Sequence, residues 1–578
     1  MSGISGEIII RGGFVVDPSQ KIDGDVADIA IKDGKIVDKV SSAAKVIDAK
    51  GKVVMAGGVD VHSHVAGPKV NVGRLMRPED KLLSGVSRSA MAQANGFRME
   101  SGFSIPSVLK TGYDYARMGY GFVMEAAMPP IHAPHVHEEI HDTPIIDEAA
   151  LPVFGNNWFV MEYLKKGEIE NTAAYIAWLI RATKGFGIKV VNPGGTAAWA
   201  WGLNCLSLSD NVPYFDITPH EIITGLIQAN EYLGLPHSVH LHQNDLGNPG
   251  NYKVTLDSLR LAEGVKAKNK FGREQVIHST HIQFHSYGGD SWANFETRAK
   301  DVMDYVNRQK NITVDLGCVT LDETTTMTAD GPFEHHLTGL NHLKWANTDV
   351  EMETAAGVVP YVYDPNIKVC DIQWAIGLEL GLYAKDPMRC FVTTDHPNAG
   401  PFTRYPRIIK WLMSKKAREA TLDSFKHKDK VIEATDLHSL DRELTLYEIA
   451  AMTRAGPAKC LGLSSIYGGL APGMNADVAV FDLNYKSMPS DPEKIESAFL
   501  RAACFVKSGE IVVKDGEVLS HGHKKTVWVN PKMKENPQVK RDIAESFNKG
   551  YYTVGLTNYP VREYLAPHPF VIDVDVEA

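Results

Sequence analysis

Histidine, lysine and aspartate residues recur at the ends of apolar, strand-like segments of this chain. The first case is VMAGGVDVHSH, in which His62 and His64 end an apolar segment and are two residues apart. Alternate side chains of a strand share one face, so both imidazoles can bind the same zinc ion. Taken alone, this His-x-His pattern is equally well explained by two polar residues at a strand end.

A lysine lies inside the apolar segment FGIKVVNPGG, where Lys189 is flanked by glycines and a proline. Burial disfavours the charged form of an amine, so the pKa of a buried lysine falls and the neutral amine can take up carbon dioxide. The resulting carbamate could bridge two metal ions about 3.5–4 Å apart. The simpler alternative is a lysine that extends to solvent at the rim of the fold, and only the neighbouring motifs favour the metal site.

Two further strand-like segments, HSVHLHQNDLG and QVIHSTHIQFHSYGG, are rich in histidine. His240 and His242 share a strand face, and we favour His242 as a ligand because it lies nearer the carboxyl end of the strand. His278 and His281 would point to opposite faces of an extended strand, so one of the two is expected to bind metal. The pattern favours His278 slightly, with His281 as a close alternative.

The segment RCFVTTDHPN provides Asp395 at a strand end. A carboxylate beside two zinc ions can bind metal, hold a bridging hydroxide, and act as base and then acid during attack on a carbonyl. For this residue alone, an aspartate that caps the next helix is the simpler alternative. Together, five strand ends that offer His-x-His, Lys, His, His and Asp in this order predict a binuclear metal site.

The segments that must position these residues alternate between apolar strands and helical sequence. GIKVVN and ITVDLG are typical of strands, and NTAAYIAWLIRATKG is typical of a helix. This α/β alternation predicts a parallel sheet wrapped by helices, and we expect a (β/α)8 TIM-like barrel with insertions over residues 57–465. Short strands and Asp-Gly turns predict β-structure in residues 1–56 and 466–578, which we expect to form one composite β-sandwich and a tail.

Composition restricts the class of function. The 578 residues carry 60 Lys+Arg and 70 Asp+Glu, and no long basic segment, so no nucleic-acid partner is expected. Six separated cysteines without a CxxC pair disfavour a disulfide framework or an iron–sulfur cluster. The sequence has no signal-peptide pattern and no apolar run of roughly 20 residues, which predicts a cytoplasmic protein without a membrane span.

Two other histidine clusters are interpreted as surface features. PPIHAPHVHEEIH and EHHL lie in proline-rich or charged sequence that is typical of loops, so we expect surface histidines there rather than a second metal site. The basic segment KKAREATLDSFKHKDK is interpreted as a solvated helix face or a contact with another protein chain.

The order of the candidate ligands resembles that of the amidohydrolase superfamily. TRAGPAKCLGL and LAPGMNADVAVFD are similar to the closing segment of its hydantoinase-like members. More narrowly, the chain looks like the amidohydrolase-type subunits of formylmethanofuran dehydrogenases in HSHVAGPKVNVGRLMRPED, GIKVVNPGG, HLHQNDLG, THIQFHSYGG and TTDHPN. This resemblance spans nearly the whole chain.

The resemblance implies two zinc ions bridged by an N6-carboxylysine at Lys189. The implied ligands are His62, His64, Lys189, His242, a histidine of the QVIHSTH strand and the catalytic Asp395. It also implies that this chain condenses formate with the amine of methanofuran, the reverse of amide hydrolysis, in the first step of methanogenesis from carbon dioxide. Partner subunits, in particular a pterin-bearing one similar to formate dehydrogenases, would supply the formate. Tungsto- or molybdopterin and iron–sulfur clusters are expected on those partners, and no redox cofactor is expected in this chain.

Residues 66–79 could form an insertion that covers the site. Asn71 and Arg74 are candidate substrate contacts there, because a guanidinium can pair with formate or an acidic tail; capping and a surface ion pair are equally good explanations. Three alternative functions stay open. They are a stand-alone cyclic amidohydrolase of the hydantoinase or dihydroorotase kind, a formyl-releasing subunit of the type found in methylotrophic bacteria, and a non-catalytic scaffold within a complex.

Overall fold

Eight parallel strands form the centre of the fold. The computed structural model of the chain describes residues 6–78, 80, 102–341, 344–347, 356–550 and 555–576. The central strands are β1 (Gly58–Ser63), β2 (Tyr120–Met128), β3 (Asp147–Pro152), β4 (Lys189–Val191), β5 (Val239–His242), β6 (Ile277–Ser279), β7 (Ile312–Asp315) and β8 (Cys390–Phe391). They confirm the strands predicted from the apolar segments that carry the candidate ligands.

The central strands belong to two sheets of parallel pairs. One sheet contains β1, β2 and β3, and the other contains β4 to β8 in chain order. Isolated parallel bridges, Val153 with Lys189 and Ser63 with His396, connect the ends of the two sheets. Since parallel neighbours present their carboxyl ends at one edge, the candidate ligands lie on the same side of the fold.

Two strands late in the chain extend the first of these sheets. Thr526–Lys532 pairs with β3 through Thr526 and Glu148, and Pro569–Asp575 pairs in parallel with Thr526–Lys532. The end of the described chain therefore packs beside the central strands.

A nine-stranded sheet combines both ends of the chain. Its strands are Glu7–Asp17, Ile22–Lys32, Lys35–Val37, Lys45–Asp48, Val53–Ala56, Val478–Phe481, Cys504–Lys507, Glu510–Lys514 and Glu517–Val518. Val53–Ala56 and Val478–Phe481 pair with each other and so join the two halves. Two of its hairpins turn at Asp33-Gly34 and Asp515-Gly516, where both residues have positive φ as a tight Asp-Gly turn requires. The predicted strands and turns at both chain ends are confirmed.

Helices cover the central strands and alternate with them along the chain. The α-helices are Pro68–Met76, Val108–Arg117, Ala133–Asp142, Trp158–Lys165, Ile169–Thr183, Gly195–Trp199, Pro219–Leu233, Tyr252–Arg260, Ala299–Arg308, Gly331–Asn341, Lys368–Tyr383, Tyr405–Met413, Lys415–Asp423, Lys428–Ala434, Leu446–Ala450, Gly456–Cys460, Pro492–Leu500 and Pro537–Gly550. In the described ranges, no helix has both the length and the apolar character needed to cross a membrane.

An insertion between β7 and β8 lies at the carboxyl ends of the strands. It contains the strands Glu323–Thr328, Ala346–Asn347 and Gly357–Val362 and the helix Gly331–Asn341. A small hairpin of Tyr287–Gly288 and Glu296–Thr297 follows β6. These segments supply much of the wall of the cavity described below.

The loop interpretation of the two histidine clusters is wrong. PPIHAPHVHEEIH contributes most of the helix Ala133–Asp142, which has a proline in its first turn, where the missing N–H is tolerated. His137 of this helix is buried, and its Nε2 lies 2.9 Å from the Thr183 carbonyl oxygen. EHHL belongs to the helix Gly331–Asn341, where His335 and His336 are exposed as expected.

Candidate metal centre

A cavity of about 260 Å³ opens at the carboxyl ends of the central strands. Six of the seven side chains predicted to bind metal line it: His62, His64, Lys189, His242, His281 and Asp395. They come from β1, β4 and β5 and from the segments that follow β1, β6 and β8. Strands that are distant in sequence thus place ligand-type groups around one space.

His62, His64 and Asp395 converge on one point of the cavity. Asp395 Oδ1 lies 2.9 Å from His62 Nε2 and 3.3 Å from His64 Nε2. Both His62 Nε2 and Asp395 Oδ1 are buried, and neither makes a hydrogen bond within the part of the chain that the structure describes. Buried polar atoms that face each other without a hydrogen bond fit a shared cation, and imidazole and carboxylate are the ligands that zinc accepts.

The charge state of Asp395 also fits a cation site. Burial alone would favour the neutral acid, but the imidazoles of His281 and His62 hold the pKa of Asp395 well below its ordinary range. Asn398 Nδ2 donates a hydrogen bond of 2.8 Å to Asp395 Oδ2 and orients the carboxylate. The group is therefore an anion at neutral pH, with Oδ1 directed at the two histidines.

Lys189 presents an amine to the same cavity. Its side chain is buried, and within the described residues the amine makes no hydrogen bond or ion pair. Burial is the main cause that lowers the pKa of Lys189 from 10.5 to about 7. A substantial share of the amine is therefore neutral at physiological pH, which is the form that can react with carbon dioxide.

His242 and His281 lie side by side in the wall of the same cavity. Their ring centroids are 4.7 Å apart, and His242 Nε2 lies 3.2 Å from Asp330 Oδ2. His281 Nδ1 is buried without a hydrogen-bond partner among the described residues. This second pair of imidazoles, with Lys189, is suited to hold a second cation.

His278 lies away from the cavity. Its Nε2 is 3.1 Å from Asp315 Oδ2 and its Nδ1 is 3.0 Å from Thr313 Oγ1, so both ring nitrogens face polar groups of β7. The preference for His278 requires a strand that stays extended through His281, but β6 ends at Ser279 and His281 has a left-handed φ of 34°. This backbone turn carries the His281 side chain to the cavity.

The structure places Asn71 and Arg74 with each other and not with the metal-ligand candidates. Both belong to the helix Pro68–Met76, and Arg74 Nη1 donates 2.8 Å hydrogen bonds to Asn71 Oδ1 and Glu139 Oε1. Asn71 Nδ2 lies 2.8 Å from His135 Nε2. Neither side chain lines the cavity.

Three carboxylates beside the candidate ligands were not identified from the sequence. Glu125 Oε1 lies 3.2 Å from His64 Nδ1 and 3.3 Å from Lys69 Nζ. Burial raises the pKa of Glu125, but Lys69 and His64 more than offset this and lower it to about 2. The other two, Asp315 and Asp330, contact His278 and His242. Glu125 and Asp315 each lie in an apolar strand, which is the sequence pattern that identified Asp395, so the same reasoning could have found them. No such pattern surrounds Asp330.

The rest of the cavity wall is largely apolar and aromatic. Phe284 and Trp292 come from the segment after β6, and Phe333, Tyr361 and Leu340 come from the insertion between β7 and β8. A substrate bound there would have one end at the convergent ligand-type groups and its body against aromatic rings. Such an arrangement suits a small polar reacting group attached to a flat or apolar body.

Known proteins are similar in sequence to nearly the whole chain. Residues 45–519 match the model of the "Amidohydrolase family". The chain is 53% identical to Protein FwdA of Methanocaldococcus jannaschii, covering 98% of this chain and 99% of that protein. It is 36% identical to FhcA of the formyltransferase/hydrolase complex Fhc of Methylorubrum extorquens, covering 96% and 97% respectively.

A solved structure is also similar to this chain over nearly its whole length. A chain in the crystal structure of the formyltransferase/hydrolase complex FhcABCD from Methylorubrum extorquens, in complex with methylofuran, superposes with a TM-score of 0.87. The two chains are 34% identical, and the match covers 99% of this chain and 100% of that one. This chain belongs to the amidohydrolase family, within the group that includes FwdA and FhcA.

Proposed function

We propose that this chain is the binuclear zinc amidohydrolase component of a formylmethanofuran dehydrogenase complex, where it condenses formate with the amine of methanofuran to give N-formylmethanofuran. The observation that carries the proposal is the convergence of His62, His64, Lys189 and Asp395 in one cavity. The relationship to FwdA and FhcA supports the choice of a formyl amide over other amides.

The proposed architecture is a barrel with a composite β-sandwich, as expected for an amidohydrolase. We propose that β1 to β8 form a (β/α)8 barrel within residues 57–465, supported by the parallel pairings and by the two bridges between the sheets. Residues 1–56 and 466–578 would form the composite β-sandwich and the tail, supported by the sheet that both chain ends share. Active sites of such barrels lie at the carboxyl ends of the strands, where the cavity lies.

We assign the zinc ligands in two groups. His62, His64 and Asp395, whose ligand atoms lie close together, would hold one ion. His242 and His281, which line the same cavity, would hold the other, and a carboxylated Lys189 would bridge the two. His281 takes the place of His278 in this assignment because only His281 lines the cavity. When bound, the two ions would neutralise the charge of formate and polarise its carbon.

Asp395 is the proposed acid–base group. In the condensation, the ammonium form of the amine and the formate anion give the formamide and water. The C–N bond forms as the deprotonated amine attacks the formate carbon, a C–O bond breaks, and the two protons lost from the ammonium nitrogen leave in the water. Asp395 would accept a proton from the amine at Oδ2, the oxygen that Asn398 orients, and deliver it to the departing oxygen. No electrons are transferred, so this chain needs no redox cofactor of its own. The aromatic wall would exclude water from the site.

The reaction requires partners that supply formate. We propose a cytoplasmic complex in which a pterin-bearing partner, similar to formate dehydrogenases and served by iron–sulfur clusters on the partner subunits, reduces carbon dioxide and passes the formate to this chain. The support is that the relative from Methylorubrum extorquens occurs in a complex with three other components and that this complex binds methylofuran. The name of that complex, a formyltransferase/hydrolase, includes hydrolysis, which is the reverse of the proposed condensation.

Hydrolysis assays on the purified complex test this function. Formylmethanofuran should be hydrolysed, hydantoin and dihydroorotate should not, and Lys189→Ala and Asp395→Asn should each abolish the activity. Asp482→Asn serves as the matched control. Asp482 is largely exposed and directly follows the strand Val478–Phe481 of the nine-stranded sheet, so this substitution should leave the activity unchanged. Ring opening would instead favour a cyclic amidohydrolase, and a complex without zinc or turnover would leave only a scaffold role.

A further inference from the structure

A chain of hydrogen-bonded histidines runs from the candidate metal centre into the core. His62 Nδ1 lies 2.9 Å from His240 Nε2, and His240 Nδ1 lies 2.9 Å from His237 Nε2. His237 Nδ1 lies 2.9 Å from the carbonyl oxygen of Cys460. The three rings are fully buried, and we call His62, His240 and His237 the imidazole chain.

The carbonyl oxygen at the inner end fixes the direction of every hydrogen bond in the imidazole chain. A carbonyl oxygen only accepts, so His237 must carry a proton on Nδ1, and a neutral His237 then presents a lone pair at Nε2. His240 must then donate from Nδ1 to His237 and accept at Nε2. His62 in turn donates from Nδ1 to His240, which leaves the lone pair of His62 on Nε2.

Two further observations agree with this direction. The carboxylate oxygen Asp315 Oδ2, which only accepts, lies 3.5 Å from the same His62 Nδ1. Burial lowers the pKa of His237 to about 3, so its ring is neutral and has one proton to place. At the other end, His62 Nε2 is the atom that lacks a hydrogen bond within the described residues and faces Asp395.

We propose that His240 and His237 are positioning residues that lock His62 in the tautomer whose Nε2 lone pair faces the metal centre. This inference rests on the proposed function in one respect, namely that His62 binds zinc through Nε2. Without the imidazole chain, only the longer 3.5 Å contact with Asp315 Oδ2 would favour a proton on His62 Nδ1, and zinc binding would have to select the tautomer. Outer-shell partners of this kind change metal affinity by about 10–100-fold.

The imidazole chain also explains why His240 does not line the cavity although it shares a strand face with His242. Its Nε2 is used by His62, and the parallel register of β4, β5 and β6 places it between Lys189 and His278. His240 thus lies behind His62, where it can orient this ligand, and it is not among the residues that line the cavity.

Zinc titration of the metal-free complex against a chromophoric chelator tests the proposal. His240→Leu removes the acceptor, and we expect its zinc affinity to fall about 10–100-fold. His240→Gln can place an amide oxygen near the position of Nε2 and its NH₂ towards His237, so we expect zinc affinity within about three-fold of wild type. The matched control is His137→Leu, because His137 is equally buried but bonds the Thr183 carbonyl and does not line the cavity; zinc affinity should not change.

The glutamine variant distinguishes a positioning role of His240 from a packing role. If His240 only fills space, the hydrogen bond of the amide would not matter, and the leucine and glutamine variants should have the same zinc affinity. Thermal unfolding of each metal-free variant shows which variants are folded. Equal zinc affinity of wild type and a folded His240→Leu, or equal losses in folded Leu and Gln variants, would overturn the inference. If wild type itself binds no zinc, the proposed function fails instead.

A second measurement needs no variant. Neutron diffraction from deuterated crystals of the wild-type complex locates the exchangeable deuterons on the rings. We expect deuterons on Nδ1 of His62, His240 and His237 and none on their Nε2 atoms. A deuteron on His240 Nε2 would reverse the direction of the chain and contradict the proposal.

Discussion

Replacing Lys189 by methionine should stabilise the metal-free chain while it destroys the metal site. Burial lowers the pKa of Lys189 from 10.5 to about 7, so the folded state resists protonation of this amine. At pH 7 the resulting penalty amounts to about 4 kcal/mol of folding free energy, since each pKa unit is worth about 1.4 kcal/mol. Methionine has a similar shape and no charge, so it removes this penalty.

The sign of the pH dependence follows from the direction of the shift. The folded-state pKa of the amine lies below its unfolded value, so the penalty is absent above pH 10.5, grows as the pH falls, and is complete below pH 7. The stabilisation by Lys189→Met should therefore shrink by about 2 kcal/mol between pH 7 and pH 9.

Lys507→Met is the matched control, because the same substitution should have the opposite sign. Lys507 is also fully buried, but its amine lies 2.7 Å from Asp147 Oδ2 and 3.0 Å from Asp477 Oδ2. Removing it leaves two buried carboxylates without their cation, which should destabilise the chain by about 3–5 kcal/mol.

Urea unfolding of the metal-free proteins measures these differences, in chelator and carbon-dioxide-free buffer that prevents carbamate formation. We expect a higher midpoint for Lys189→Met than for wild type at pH 7 and a smaller gain at pH 9. A lower midpoint for Lys189→Met, or a gain that does not change with pH, would refute the assignment of Lys189 as a buried, unpaired amine.

Three further predictions concern the ligands, their supports and the cavity wall. His281→Ala should lose one of two zinc ions by elemental analysis, whereas His278→Gln should retain both; the reverse would restore His278 as the ligand. Glu125 has its pKa lowered to about 2, so its stabilisation is present above pH 4.5 and lost as the pH falls. In urea unfolding, the advantage of wild type over Glu125→Gln should shrink by about 2 kcal/mol from pH 5 to pH 3, and a constant difference would argue against the charged Glu125. Phe333→Ala should raise KM for methanofuran about ten-fold with zinc content unchanged, because about 1.5 kcal/mol of apolar contact is lost; an unaltered KM would remove Phe333 from the substrate site.

Local periodicity in the sequence was enough to predict that much of the candidate site lies at one edge of the strands. Two-residue alternation in a strand brings His62 and His64 to one face, and the strand ends near Lys189, His242 and Asp395 follow from apolar segments and the turns after them. The strands, the Asp-Gly hairpins and the helix around NTAAYIAWLIRATKG required the same local information. These features could be predicted because neighbouring residues determine them.

The remaining parts depend on contacts between distant residues. The side chain of His281 reaches the cavity, and that of His278 does not, because of a left-handed residue after β6, and a pattern of strand alternation cannot show such a turn. An ion pair was one of the explanations considered for Arg74, but its partner could not be predicted because Glu139 lies 65 residues away on another helix. The direction of the imidazole chain depends on a carbonyl oxygen 223 residues from His237, which only the folded chain brings near.

Anomalous diffraction at the zinc edge tests the central claim most directly. Crystals of the purified wild-type complex should show two anomalous peaks in the cavity, about 3.5–4 Å apart, with density for a carbamate on Lys189 between them. One peak should lie at His62, His64 and Asp395, and the other at His242 and His281. A single peak, no peak, or an unmodified Lys189 away from both ions would contradict the binuclear site on which the proposed formyl condensation depends.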